Sequence, residues 1–194
     1  MTLSNYPLPA NGAEIYGFFW AFTMVALAIV GGAMDYRITQ YWRDQRFTWN
    51  WVPSHWLFYS LTWLIVGSLE ALAATIVRAE VTSANGGWAS GNILGALLLW
   101  VFTIVLQSLS VLVLYMFQSF GWATVISFLA WVSVLLQLIF SGLATDSWEA
   151  PVALILPLIV LTFAFIINCK MLYETYDKPT KQIQLPFADD RRVK

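Results

Sequence analysis

One carboxylate, Glu70, stands inside a long apolar stretch of this chain, and amides recur in similar surroundings at Gln107, Gln137 and Asn168. A charge at mid-membrane costs about 2.5–3.5 kcal/mol on insertion scales, so an intramembrane acid is a candidate for function or for a strong bond to another helix. Three uses are open to Glu70: a hydrogen bond across helices, with Gln107, Ser108 or Ser110 as partner; a polar vestibule near Arg78; or a ligand or proton site. Its neighbours one turn away, Val66, Gly67, Ala73 and Ala74, are small enough to leave room beside it. The three amides read as helix-to-helix bonds, worth about 0.6–2 kcal/mol each. His55 and Cys169 lie far apart and cannot together build a metal site. Axial haem ligation by His55 would lack a second ligand nearby, and the lone Cys169 excludes an intrachain disulfide. There is no phosphate loop, dinucleotide fingerprint or nucleophile elbow, so no catalytic residue is assigned and no cofactor is required. Nothing points to a nucleic-acid partner.

The elements that carry these groups are five apolar stretches: Ile15–Met34, Trp56–Val77, Ile93–Phe117, Trp122–Leu143 and Val152–Leu172. At 1.5 Å rise per residue, about 20 helical residues cross a hydrocarbon core of roughly 30 Å. Hydrophobic residues make up 59% of the chain and charged ones 11%, well under the charged share of about 25% in soluble proteins. The expectation is an all-α membrane protein, a five-transmembrane-helix bundle. It has an outside segment at 1–14, a membrane domain at 15–172 and a cytoplasmic tail at 173–194. The basic residues set its orientation. All ten Lys and Arg except Arg78 fall in the first loop or at the C-terminal end, which five spans put on one side. By the positive-inside tendency that side is cytoplasmic, giving N-out, C-in. Basic residues follow the first span instead of preceding it, so it reads as a signal anchor and not a cleaved signal. Bacterial plasma membrane and organelle membranes both remain open.

Packing signals are small residues at helical spacing: Gly67, Ala71 and Thr75; Gly91 and Gly95; Gly17 and Ala21, continuing to Ala28. Pro157, about one turn inside the last span, should bend its helix and free a carbonyl. Among the eleven Trp, Trp122 and Trp148 at span ends suit an aromatic belt. Trp49, Trp51 and Trp56 crowd too closely for anchoring alone.

The entrance to the second span, Trp51-Val52-Pro53-Ser54-His55-Trp56-Leu57-Phe58, resembles the Pro-Pro-x-Trp-x-Phe motif of the translocator protein/tryptophan-rich sensory protein (TspO/MBR) family. Phe163-Ala164-Phe165-Ile166-Ile167-Asn168 is similar to the Phe-x-x-x-Leu-Asn that ends that family's last helix, with Pro157 one position from its Pro-Tyr. Leu172, Tyr176 and Lys178 fit the loose sterol-recognition pattern of its animal members, a weak pattern anywhere. The chain departs from the family after the first motif, at Thr62-Trp63-Leu64-Ile65-Val66. It departs again where the family's third helix carries Gln, Asn and Trp, here Ile104, Ser108 and Val111. Those family positions line its ligand cavity.

The resemblance implies a five-helix bundle, often a homodimer, with a cavity open towards the first loop that takes a tetrapyrrole (porphyrin or haem) or a sterol-like molecule. Ligand-binding residues would be Trp49, Trp51, Pro53, His55, Trp56, Phe58 and Trp63, with Gln107 and Asn168 as polar contacts and Arg43 and Arg46 as charges at the rim. A porphyrin is a flat apolar ring edged by carboxylates, which indoles can cover and Arg can hold. An interfacial loop with basic topogenic residues accounts for the same side chains. Two readings of other classes stand beside this one. The first is a structural or assembly subunit of a larger membrane complex that keeps the bundle without a pocket. The second is an ion or proton carrier using Glu70, for which the spans lack a polar file across the membrane.

Overall fold

The computed structural model describes residues 12–27, 56–83, 91–117 and 119–177, and every regular element among them is a helix. These are α1 (Gly12–Leu27), α2 (Trp56–Ser83), α3 (Gly91–Phe117), α4 (Phe120–Ala144), the short α5 (Glu149–Ala153) and α6 (Ile155–Asp177). Four stretches are long and apolar enough to cross a bilayer: Leu61–Ala79, Gly91–Leu114, Phe120–Ala144 and Glu149–Tyr173. The chain is a multi-pass membrane protein. α1 is described over 16 residues, about 24 Å of helix. α2 runs past the expected end at Val77 to Ser83, carrying Arg78 and Glu80 on its last turns.

The distribution of side chains agrees with a lipid solvent. On α3 the outward positions are Leu98, Val101, Phe102, Val105 and Leu109, while Thr103, Gln107 and Ser110 are buried. α4 buries Thr124, Ser127, Ser133, Gln137 and Ser141 and exposes Val125, Phe128, Leu129 and Ile139. Lipid tails cannot accept or donate hydrogen bonds, so polar groups pair inside the bundle and apolar ones face out.

α2 touches every other helix, whereas α1 packs only on α2 and α3 among the described residues. α3 and α4 pack as an antiparallel pair, and theirs is the most extensive helix contact among the described residues. Thr103 Oγ1 donates to Ser133 Oγ at 2.7 Å, and Ser133 Oγ passes a bond of 3.2 Å to the Leu99 carbonyl. The Ser110 and Ser127 hydroxyls share a second bond at 2.7 Å. α1 is fastened by Trp20, whose indole N–H donates to Ser68 Oγ at 2.9 Å, and by the Phe19 ring set edge-on to Trp100 with centroids 4.7 Å apart.

The small-residue signals have mixed outcomes. Gly67, Ala71 and Thr75 are all buried. Gly95 lies beneath the Phe140 ring, where a Cβ would meet Cδ1 at 3.0 Å. Gly91 and Gly17 have nothing within 4 Å of such a Cβ, and Ala21 is exposed, so these positions make no close helix contact among the described residues. The α1 face that packs carries Phe19, Thr23 and Met24 instead. Ala28 lies outside the described residues.

The bend expected at Pro157 is a break three residues earlier. α5 ends at Ala153, Leu154 takes φ −88° and ψ −8°, and α6 begins at Ile155. The Pro157 ring would press on the Ala153 carbonyl in a continuous helix and has no N–H to give it. The backbone responds with a tighter bond, Leu154 N–H to the Pro151 carbonyl at 3.1 Å, before Leu158 N–H resumes the α pattern on Leu154 at 3.0 Å.

Candidate functional site: a cavity at one end of the bundle

Four helix ends meet around a cavity of about 140 Å³: the start of α2, the end of α3, the start of α4 and the end of α6. Its wall is mostly apolar, with Trp63, Val111, Leu114, Ala130, Leu161 and Ile167 among the lining residues, while Thr62, Gln107, Ser110, Ser127 and Asn168 add polar atoms. Phe58 from α2 and Phe163 from α6 line it too, and they are 50% and 57% exposed, so the space reaches the outer surface of the bundle between these two helices. In a bilayer that opening is lateral, towards lipid. The inner end rests on the central core, where Trp63 and Leu161 pack with Val66, Trp100, Ile104 and Val134.

The polar side of the cavity is built across helices. Asn168 Nδ2 on α6 donates to Ser127 Oγ on α4 at 2.6 Å, and Ser127 in turn bonds Ser110 on α3. Deeper in, Gln107 Nε2 donates to Glu70 Oε1 at 2.9 Å. Glu70 is 0% exposed, and the partner it takes from the expected trio is Gln107; Ser110 turns to Ser127 instead. The vestibule reading near Arg78 does not describe this geometry, because the carboxyl is enclosed between α2 and α3. Glu70 Oε2 and Gln107 Oε1 are buried with no hydrogen-bond partner among the described residues. Gln137, expected as a bond between helices, is buried on α4 with its Oε1 equally unpartnered.

Of the residues singled out in the sequence, the fold brings Phe58, Trp63, Gln107 and Asn168 together on one cavity wall, though they come from three helices. Trp49, Trp51, Pro53, His55, Arg43, Arg46 and Lys178 lie outside the described residues, as do the side chains of Trp56 and Tyr176. Leu172 is half-buried on α6, outside the cavity lining. No His, Cys, Asp and Glu cluster among the described residues could hold a metal. The sequence offered Ser110 only as a partner for Glu70 and singled out neither Ser127 nor Thr162, which lies outside the cavity lining and accepts the Trp131 indole N–H at 2.9 Å. Serine and threonine in spans bond their own backbone so often that the residue type alone does not single them out; Thr62, Thr75 and Thr124 do so here.

No family model matches this chain, and no curated protein matches it. The likeness to the translocator family therefore stands on the two motifs alone.

Proposed function

We propose that this chain is a membrane protein of five spans that binds an apolar ligand within its helix bundle, without a catalytic step. The observation that carries the reading is the cavity itself: an apolar chamber, open laterally between α2 and α6, with two amides from different helices on its wall. In this reading the apolar sequence after Leu27, as far as Met34, completes a first span. The N-out, C-in orientation follows from the basic residues of the first loop and the tail, and it turns the cavity end towards the cytosol.

The motif resemblance favours a tetrapyrrole or a sterol-like molecule, with the first-loop indoles and Arg43 and Arg46 completing the enclosure. The cavity is smaller than the 300 Å³ or so at which drug-sized pockets begin. Such a ligand enters by one ring, and its remaining body lies in the opening beside Phe58 and Phe163. Saturable quenching of Trp fluorescence by protoporphyrin in nanodiscs is the test, with Ala164→Phe as the variant that fills the cavity. Quenching that saturates in the parent and not in the variant supports the reading; unsaturable quenching, identical in both, overturns it.

The same small volume favours a second reading, a structural subunit of a larger membrane complex. Purification in mild detergent separates the two, since a scaffold brings fixed partners and a receptor arrives as a monomer or homodimer.

A further inference from the structure

We infer that Glu70 and Gln107 form a proton-binding site between α2 and α3, in which Glu70 Oε2 holds a proton and donates it to Gln107 Oε1. The site stands whether or not the cavity takes a ligand.

Two observations meet at this pair. Gln107 Nε2 donates to Glu70 Oε1 at 2.9 Å, so the carboxyl and the amide already join across the helix boundary. The other oxygen of each group, Glu70 Oε2 and Gln107 Oε1, is buried with no hydrogen-bond partner among the described residues. While the carboxyl is ionised both oxygens can only accept, and neither can satisfy the other. One proton removes both defects. A protonated carboxyl is donor and acceptor at once, the same complement that an amide offers. Its O–H then serves the amide oxygen while the amide N–H serves the acid, closing a ring of two hydrogen bonds. The last torsion of each side chain is broad, which leaves the two planar groups free to align.

The surroundings supply no other counter-charge. Glu70 is 0% exposed. Among the described side chains, the titratable groups on helices packed against α2 are Glu14 and Tyr16 on α1, Glu149 on α5, and Cys169, Lys170 and Tyr173 on α6. Asp146 lies in the turn before α5, and α3 and α4 carry none. None of these groups hydrogen-bonds Glu70. Arg78, on α2 itself, stands eight residues further on, about 12 Å of helix rise. A carboxylate taken out of water with no cation beside it neutralises instead of keeping its charge. A metal cation in the proton's place would take about six oxygens, and the pair leaves two unpaired. The proton is the occupant that fits. Bound, it clips α2 to α3 by two bonds beside the cavity that Gln107 lines; released, it leaves one bond and a charge in the seam.

The test reads the carboxyl directly, by infrared spectroscopy of the full chain at neutral pH in dodecyl maltoside, a detergent without carbonyl groups. In the difference spectrum between the parent and Glu70→Gln, the expected result is a protonated-carboxyl C=O band, lowered in D2O and lost in the variant. Gln107→Leu should move that band to higher wavenumber, because the acid loses its donor and its acceptor together. If Gln107→Leu fails to fold, the parent band decides: a position below that of a monomeric acid in alkane supports the pairing, and a position equal to it overturns it. Ionised carboxylate bands in place of the acid band overturn the proton site. Carboxylate bands that shift when sodium replaces choline do so too and assign the two oxygens to a metal cation. An acid band that Gln107→Leu leaves unmoved overturns the pairing with the amide.

Discussion

The two ends of the bundle are built differently. At the end formed by the last turns of α2, the first turns of α3 and the last of α4, small residues let the backbones close up. Ala96 and Ala150 pack with Val77 and Ile93, and Gly95 admits the Phe140 ring. The short α5 is driven in beside α2, where Ala73, Ala153 and Leu154 form a cluster of their own. At the other end the facing positions hold Phe58, Trp63, Leu114 and Met171, and the helices leave a cavity between them. The comparison teaches that in lipid, where apolar burial drives little association, the choice between alanine and a large side chain decides which end is solid. The solid end is the frame; the open end is the part free to hold something else.

Overfilling the solid end should do the most damage. Gly95→Leu forces the new side chain into Phe140 and should cost about 3 kcal/mol, read as a lower unfolding midpoint in detergent. Glu70→Leu, at the junction between the ends, leaves the Gln107 amide without its carboxyl partner and should cost about 2 kcal/mol. Glu70→Gln, which keeps an acceptor, should recover most of that. Asn168→Ala at the open end removes one bond to Ser127 and should cost about 1 kcal/mol in the same assay. Ala164→Phe should shift the midpoint by no more than about 0.5 kcal/mol, because it fills space that is empty. A loss as large as that of Gly95→Leu would mean that both ends are equally packed and would dissolve the comparison.

Particular elements show how far the residues alone could be read. Four apolar runs long enough to span appear as helices within a few residues of their expected limits, because run length against bilayer thickness is a one-dimensional argument. Glu70 could be matched with Gln107 because few polar side chains occupy the spans and a buried carboxyl must find one of them. The glycine stripes were harder. Periodicity says which residues share a face, and it is silent on whether that face meets a helix or lipid; a Cβ at Gly95 would meet Phe140, and one at Gly91 would meet nothing within 4 Å among the described residues. The link from Asn168 through Ser127 to Ser110 was invisible for the same reason, since each residue had several apparently equal partners.

From the chain of letters came the solvent, the helical class and the presence of a buried acid needing a partner, since each follows from local composition and the cost of polar groups in hydrocarbon. Tertiary structure alone decided that Phe58, Trp63, Gln107 and Asn168 surround one space, and that the amide oxygen of Gln107 is buried without a hydrogen-bond partner among the described residues. Those outcomes depend on the separation and rotation of neighbouring helices. Side-chain volumes summed across several spans set both, and no single stretch of sequence contains that sum.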